Sequence, residues 1–188
     1  MNKILILLLI TINLAISNPK FNDKKEIQAV ATKIFNLLYK KDTATLNKNY
    51  IHPKYGFYIL HRMGTLDQFT KYKEIDSYIL RFINFNKKSK LKIYWQSTNF
   101  SCKYEKWNKE GIFITYNKPY SHIKDIISFI EENNITTYSK AQKESVNFLS
   151  TNNYILVNTQ LDIIVYIKKI DNKYYITHID TLPNDCSA

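Results

Sequence analysis

A chain of 188 residues with 45 % apolar side chains is long enough for one domain with its own core, and no Pro/Gly/Ser-rich tract divides it. Its three glycines, Gly56, Gly64 and Gly111, lie too far apart for a phosphate-cradling loop or a Gly-x-Ser-x-Gly elbow, which excludes P-loop, dinucleotide-binding and α/β-hydrolase chemistry. The formal charge of +11 rests on 27 basic residues, but only Arg62 and Arg81 are arginine and lysine is spread over the whole chain. That pattern reads as a solvated basic surface, with no nucleic-acid partner.

Lys3 precedes the apolar run Ile4 to Ile16, and Ala15-Ile16-Ser17 places small residues at the two positions a signal peptidase reads. The run is shorter than the about 20 residues that cross a bilayer as a helix. It predicts a secretory signal over residues 1–17, the alternative being an uncleaved anchor, and one domain over residues 18–188, periplasmic or extracellular with no membrane anchor once the leader is removed. Cys102 and Cys186 are an even pair, which an oxidising compartment favours as a bridge over two free thiols or an intermolecular link.

Ile27, Val30, Ala31, Ile34, Leu37 and Leu38 recur at helical spacing, so a helix is predicted from Lys24 to about Lys41, with Asp23 as its cap and Glu26 completing a capping box. A further helical turn is expected over Thr43 to Asn49. Gly56 to Arg62 suits a strand or extended segment, Gly64 a turn; Thr65 to Tyr72 is ambiguous, and Ile75, Tyr78, Ile79 and Phe82 suggest a helical stripe. Leu91 to Trp95 reads as a strand. The alternating run Phe100 to Trp107 and the strand Ile112 to Tyr116 predict a hairpin turning at Asn108 to Gly111, with Cys102 inside a strand.

Pro119 and Ser121 suit the entry of a helix carrying Ile123, Ile126, Ile127 and Ile130. Ser139 with Gln142 opens a second helix, although Val146 and Phe148 fit a strand equally well. Tyr154–Val157, Asp162–Ile167 and Tyr174–Ile179 then form an antiparallel meander, its last turn at Asp171-Asn172. The element order predicts an α+β domain: a single curved antiparallel sheet with helices packed on one face, in the manner of a cystatin-like or NTF2-like cone.

Phe57-Tyr58 with Arg62-Met63-Gly64 and Asp67-x-Phe69, Phe100-x-Cys102 with Trp107-x-Lys109-x-Gly111, Lys169-Ile170-Asp171-x-Lys173-Tyr174-Tyr175 and the ending Asp185-Cys186-Ser187-Ala188 together resemble a family of exported bacterial proteins of unknown function. The resemblance covers most of the chain after the leader and departs from the pattern at Met63, where a proline is expected before the glycine. It implies export and a Cys102–Cys186 pair, and it transfers no catalytic residue.

The four histidines, His52, His61, His122 and His178, show no i, i+4 pair and the cysteines no Cys-x-x-Cys, so no metal site or cofactor is expected. Asp67 is expected to bridge Arg62 and hold the intervening turn. The candidate ligand pocket, for a small acidic or aromatic molecule, combines Tyr58, His61, Arg62, Trp95 and His178, with Asp180 placed to orient the His178 ring. The leading functional reading is a non-enzymatic binding module for a small ligand, a peptide or an envelope component. The alternatives are a small cone-fold hydrolase or isomerase with His61, Asp67 or His178 as general base, and an adhesion subunit working through its tyrosines.

Overall fold

The computed structural model describes residues 21–83, 85, 92–116, 122–182 and 186. The leader expected at 1–17, the helix entry at Pro119 and Ser121, and Leu91 of the third expected strand lie outside the described residues. In chain order the elements are helices α1 (Phe21–Lys40) and α2 (Thr43–Tyr50), strands β1 (Phe57–Met63) and β2 (Leu66–Tyr72), a 3-10 turn (Ile79–Phe82), and strands β3 (Ile93–Tyr94), β4 (Phe100–Ser101), β5 (Lys106–Trp107) and β6 (Ile112–Tyr116). Helices α3 (His122–Glu132) and α4 (Lys140–Ser150) and strands β7 (Tyr154–Asn158), β8 (Ile163–Ile170) and β9 (Lys173–Asp180) follow.

Seven strands form one open sheet in the order β2-β1-β9-β8-β7-β6-β3. The stretch from β7 to β9 is the expected antiparallel meander, its last turn at Asp171-Asn172, both with positive φ as a two-residue primed turn requires, and β6 adds to it antiparallel on the far side of β7. The sheet as a whole is mixed, because β1 runs parallel to β9 and β3 parallel to β6. This corrects the all-antiparallel expectation. The β1·β9 pairing closes late in the chain, where Thr181 donates its N–H to the Leu60 carbonyl at a separation of 121 residues, so no local turn signal announces it.

Helices cover both faces, not one. On one side α1 buries Ile27, Ala31, Ile34, Phe35 and Leu38 and α2 buries Leu46 against Phe57, Ile59, Val165, Ile176 and Ile179. On the other, Ile123, Ile126, Ile127 and Ile130 of α3 and Val146 and Leu149 of α4 pack on Tyr58 and Leu60. The reason is visible in β1, where Phe57, Tyr58, Ile59 and Leu60 are all buried and alternate between the two cores. A continuous apolar run of this kind belongs to a strand covered on both faces.

Several local expectations change. The α1 helix begins at Phe21, which places Asp23 in its first turn and not at its cap. The stripe from Ile75 forms only the short 3-10 turn, and Thr65 to Tyr72 supplies β2. Strands β4 and β5 pair with each other, so Cys102 stands exposed in the turn between them and not within a strand. The hairpin expected to turn at Asn108 to Gly111 does not form, because β5 pairs with β4 in a separate two-stranded sheet while β6 lies between β7 and β3. Helix wins over strand at Val146 because Ser139 and Gln142 complete a reciprocal capping box and Val146 and Leu149 fall on one buried stripe.

Cys102 and Cys186 are joined in a disulfide with their Cα atoms 5.5 Å apart. The bridge ties the chain end to the β4–β5 hairpin, which is itself held to the β7–β8 turn by the Trp107 indole N–H donating to Asp162 at 2.9 Å.

Candidate functional site

A cleft with a charged floor and apolar walls opens where the β1–β2 hairpin meets the start of α3. Arg62 and Asp67 are direct partners across the hairpin, and Gly64, with φ +63, makes the tight turn between their strands. Arg62 Nε donates to Asp67 Oδ1 at 2.7 Å, so the expected turn-closing bridge is present. The other carboxylate oxygen, Oδ2, lies 3.5 Å from His122 Nε2 at the head of α3. Thr65, Leu66, Asp125, Ile126 and Phe129 complete a cleft of about 280 Å³.

The chain folds this way for local reasons. The buried stripe of α3 fixes its rotation, which leaves His122 and Asp125, three residues apart, on the flank facing the hairpin. Arg62 is only 12 % exposed at its side chain, Asp67 28 % and His122 37 %, so three charged or chargeable groups meet in a half-screened setting. A ligand entering here meets carboxylate, guanidinium and imidazole beside the half-exposed Phe129 ring.

His178 occupies a different setting. A bulge in β9 shifts the pairing from Ile167↔Ile176 to Tyr166↔His178 and leaves Thr177 as the extra residue. Tyr174 and Ile176 before the bulge face the α1 core, as does Ile179 after it, so the bulge turns His178 towards α4. There the ring stacks on Tyr58, with centroids 5.7 Å apart, and meets Tyr166 edge-on. Thr177 Oγ1 gives its hydrogen to the Tyr166 carbonyl at 3.3 Å and therefore accepts from His178 Nδ1–H at 3.0 Å. Nε2 is then left to accept from the Ser150 hydroxyl at 3.3 Å.

The Ser150–His178 pair has the donor order of an activated serine, but neither residue is accessible, at 1 % and 0 % exposure. Desolvation, and next the nearby Lys168 charge, push the imidazole down to about 3, so it stays neutral. Asp180 is buried on the same strand face and accepts the Leu182 N–H at 2.9 Å. The network therefore locks β9 to α4 and has no opening for a substrate.

The remaining candidates are dispersed. Tyr58 reaches Ser145 of α4 at 3.3 Å and shares the α3/α4 face with His178 and Arg62. His61 faces the opposite side, 3.1 Å from Thr70 Oγ1 and stacked on Phe82, and burial pushes its imidazole down. Trp95 lies at the α1 side, edge-on to Tyr154, with Lys24 over its ring. The five residues do not line one cavity. His122 and Asp125 join the cleft without having been singled out by spacing; the signal for them was the helical stripe of Ile123 to Ile130, which fixes the face they share.

A second, wider cleft of about 560 Å³ lies between α1, α2 and the β8–β9 turn, lined by residues including Glu26, Lys33, Asn36, Asn49, Tyr50 and Tyr174. Its one carboxylate, Glu26, is already paired with Lys169 at 3.3 Å. Among the described residues no group of three or more His, Cys, Asp or Glu is placed to hold a metal ion, and no helix is long and apolar enough to cross a membrane.

These elements define an α+β protein with an open mixed sheet between two helical layers, a cleft at one sheet end and a Cys102–Cys186 disulfide. No protein-family model, curated protein or solved structure matches the chain.

Proposed function

We propose that this is an exported, periplasmic or extracellular binding protein without catalytic activity, which holds a small ligand in the Arg62–Asp67–His122 cleft. The observation that carries the reading is the convergence of Arg62 and His122 on the two oxygens of Asp67 in a cleft of about 280 Å³, close to the about 300–1,000 Å³ usual for small-molecule sites. Asp125 and Phe129 add a carboxylate and an apolar ring, which suits a ligand with a polar head and an apolar body. The Cys102–Cys186 bridge supports an oxidising compartment, and the apolar leader and the resemblance to exported bacterial proteins point the same way. The cystatin-like or NTF2-like comparison rests on the part of the fold where α1 lies on the β7–β9 meander.

A thermal-shift screen of small molecules on oxidised protein tests the reading. Hits are expected to raise the melting temperature of the wild type and not of Asp125→Asn or His122→Ala; hits indifferent to both variants refute it. A second reading, a small hydrolase or isomerase, gains support from the same cleft, because His122 Nε2 at 3.5 Å from Asp67 resembles a base with its orienting carboxylate. Turnover of a hit, abolished by His122→Ala, would favour it over simple binding.

A further inference from the structure

At the end of the sheet opposite the β1–β2 turn, four aromatic rings from three segments form a continuous strip. Tyr175 of β9 lies against His52, with centroids 4.8 Å apart; His52 lies against Tyr55 at 4.6 Å, and Tyr55 against Phe148 of α4 at 4.9 Å. Ammonium groups sit over three of these rings: Lys54 over Tyr55 at 5.2 Å, Lys168 over Phe148 at 4.3 Å and Lys173 over Tyr175 at 5.3 Å. The strip is fixed in place. His52 Nδ1 accepts the Lys54 N–H at 3.1 Å, and Lys168 donates to the Phe148 carbonyl oxygen and to Thr151.

The core does not require this arrangement at Phe148, which is 39 % exposed beyond the buried stripe of α4. Among the described residues, none of the three lysines is ion-paired with a carboxylate. Tyr55 and Tyr175 are partly buried against the α3/α4 core, so the row of rings is open mainly at Phe148, and it is flanked by the three lysine ammoniums.

We propose that this strip is a docking surface for an anionic polysaccharide. Sugar rings present apolar C–H faces that stack on aromatic side chains, and their carboxylates or sulfates would meet Lys54, Lys168 and Lys173. A linear row of rings suits a linear polymer better than it suits a flat surface. Lysine supplies point charges for separate anionic groups, whereas nucleic-acid recognition draws on the planar arginine fork, and no arginine is among the residues of the strip. The export proposed above, which the Cys102–Cys186 bridge supports, would bring the protein among envelope and extracellular glycans. The surface is separate from the Arg62–Asp67 cleft and does not depend on a ligand binding there.

The test is calorimetric titration of oxidised protein with polygalacturonate, neutral dextran and a poly-dT oligonucleotide in the same low-salt buffer. Binding is expected for polygalacturonate and not for dextran, and Phe148→Ser and Tyr55→Ser should each weaken it about tenfold at unchanged net charge, the scale of losing one aromatic anchor. Lys54→Gln with Lys173→Gln alters only exposed residues, and it should weaken binding with the fold intact, which covers the case where an aromatic variant fails to fold. Affinity unmoved by the aromatic variants would reduce the surface to plain charge attraction and overturn the proposal. Equal or tighter ring-dependent binding of poly-dT, or no binding of polygalacturonate, would overturn it as well.

Discussion

His178 Nε2 stands 3.3 Å from Ser150 Oγ with both residues sealed from solvent, while the ring's Nδ1 is committed to Thr177. This neutral, buried imidazole has a pH signature. The unfolded chain takes up a proton at His178 near the ordinary value of 6.5, the folded chain only near 3. Between these values the unfolded state binds the extra proton, so stability is complete above about pH 6.5 and falls as pH drops, by about 1.4 kcal/mol per pH unit from this residue. Denaturant titrations at pH 7, 5.5 and 4 should show that slope in the wild type and its loss in His178→Gln. An imidazole that titrates near 6.5 by NMR in the folded protein would contradict it.

The disulfide closes a loop spanning a sequence separation of 84. Constraining the unfolded chain to that extent is worth on the order of 4 kcal/mol in the chain-entropy model. Cys102→Ser with Cys186→Ser should lower the denaturant midpoint accordingly, because both cysteines are exposed and the substitutions disturb little else. Two thiols reactive in the untreated, unfolded protein would show that the bridge does not form.

Two glycines with nearly the same φ should differ sharply in tolerance. At Gly56, φ +62, a Cβ would stand 2.1 Å from the Tyr72 carbonyl oxygen, a backbone atom of the neighbouring strand that cannot swing away. At Gly64, φ +63, the same Cβ meets nothing within 4 Å. Gly56→Ala is expected to cost at least about 2 kcal/mol or to prevent folding, while Gly64→Ala costs only the left-handed backbone penalty, about 1–2 kcal/mol. Thermal unfolding of the two variants side by side decides it; equal losses would mean β1 and β2 are not packed as described.

The α4 cap offers a smaller check. Ser139 accepts the Gln142 N–H at 3.3 Å and Gln142 Oε1 accepts the Ser139 N–H at 2.8 Å. Ser139→Ala should lose about 1 kcal/mol in denaturant unfolding, and no loss would place the start of α4 elsewhere.

Much of the local structure can be read from the chain, and the reasons it can are local. The stripe Ile27 to Leu38, the Ser139/Gln142 box and the Asp171-Asn172 turn are all decided within a few residues, and each appears where spacing places it. Strand order is not of this kind. Parallel pairing of β1 with β9 joins residues such as Tyr58 and His178, and alternation along either strand is silent about its neighbour. Phe57 to Leu60 does carry a signal of two-sided burial, since four consecutive apolar residues cannot all face one layer. The candidate site divides in the same way. The Arg62–Asp67 bridge spans one hairpin and is legible, whereas His122 reaches it only through the docking of α3, and the bulge at Thr177 redirects His178 in a manner no alternating pattern predicts.

Amide chemical-shift mapping with a small molecule that raises the melting temperature decides whether the ligand sits in the Arg62–Asp67–His122 cleft. Perturbations are expected to concentrate at Arg62, Thr65, Asp67, His122 and Asp125, and to disappear in Asp125→Asn with the rest of the spectrum unchanged. Perturbations confined to the α1–α2 cleft around Asn36, Asn49 and Tyr50 would contradict it.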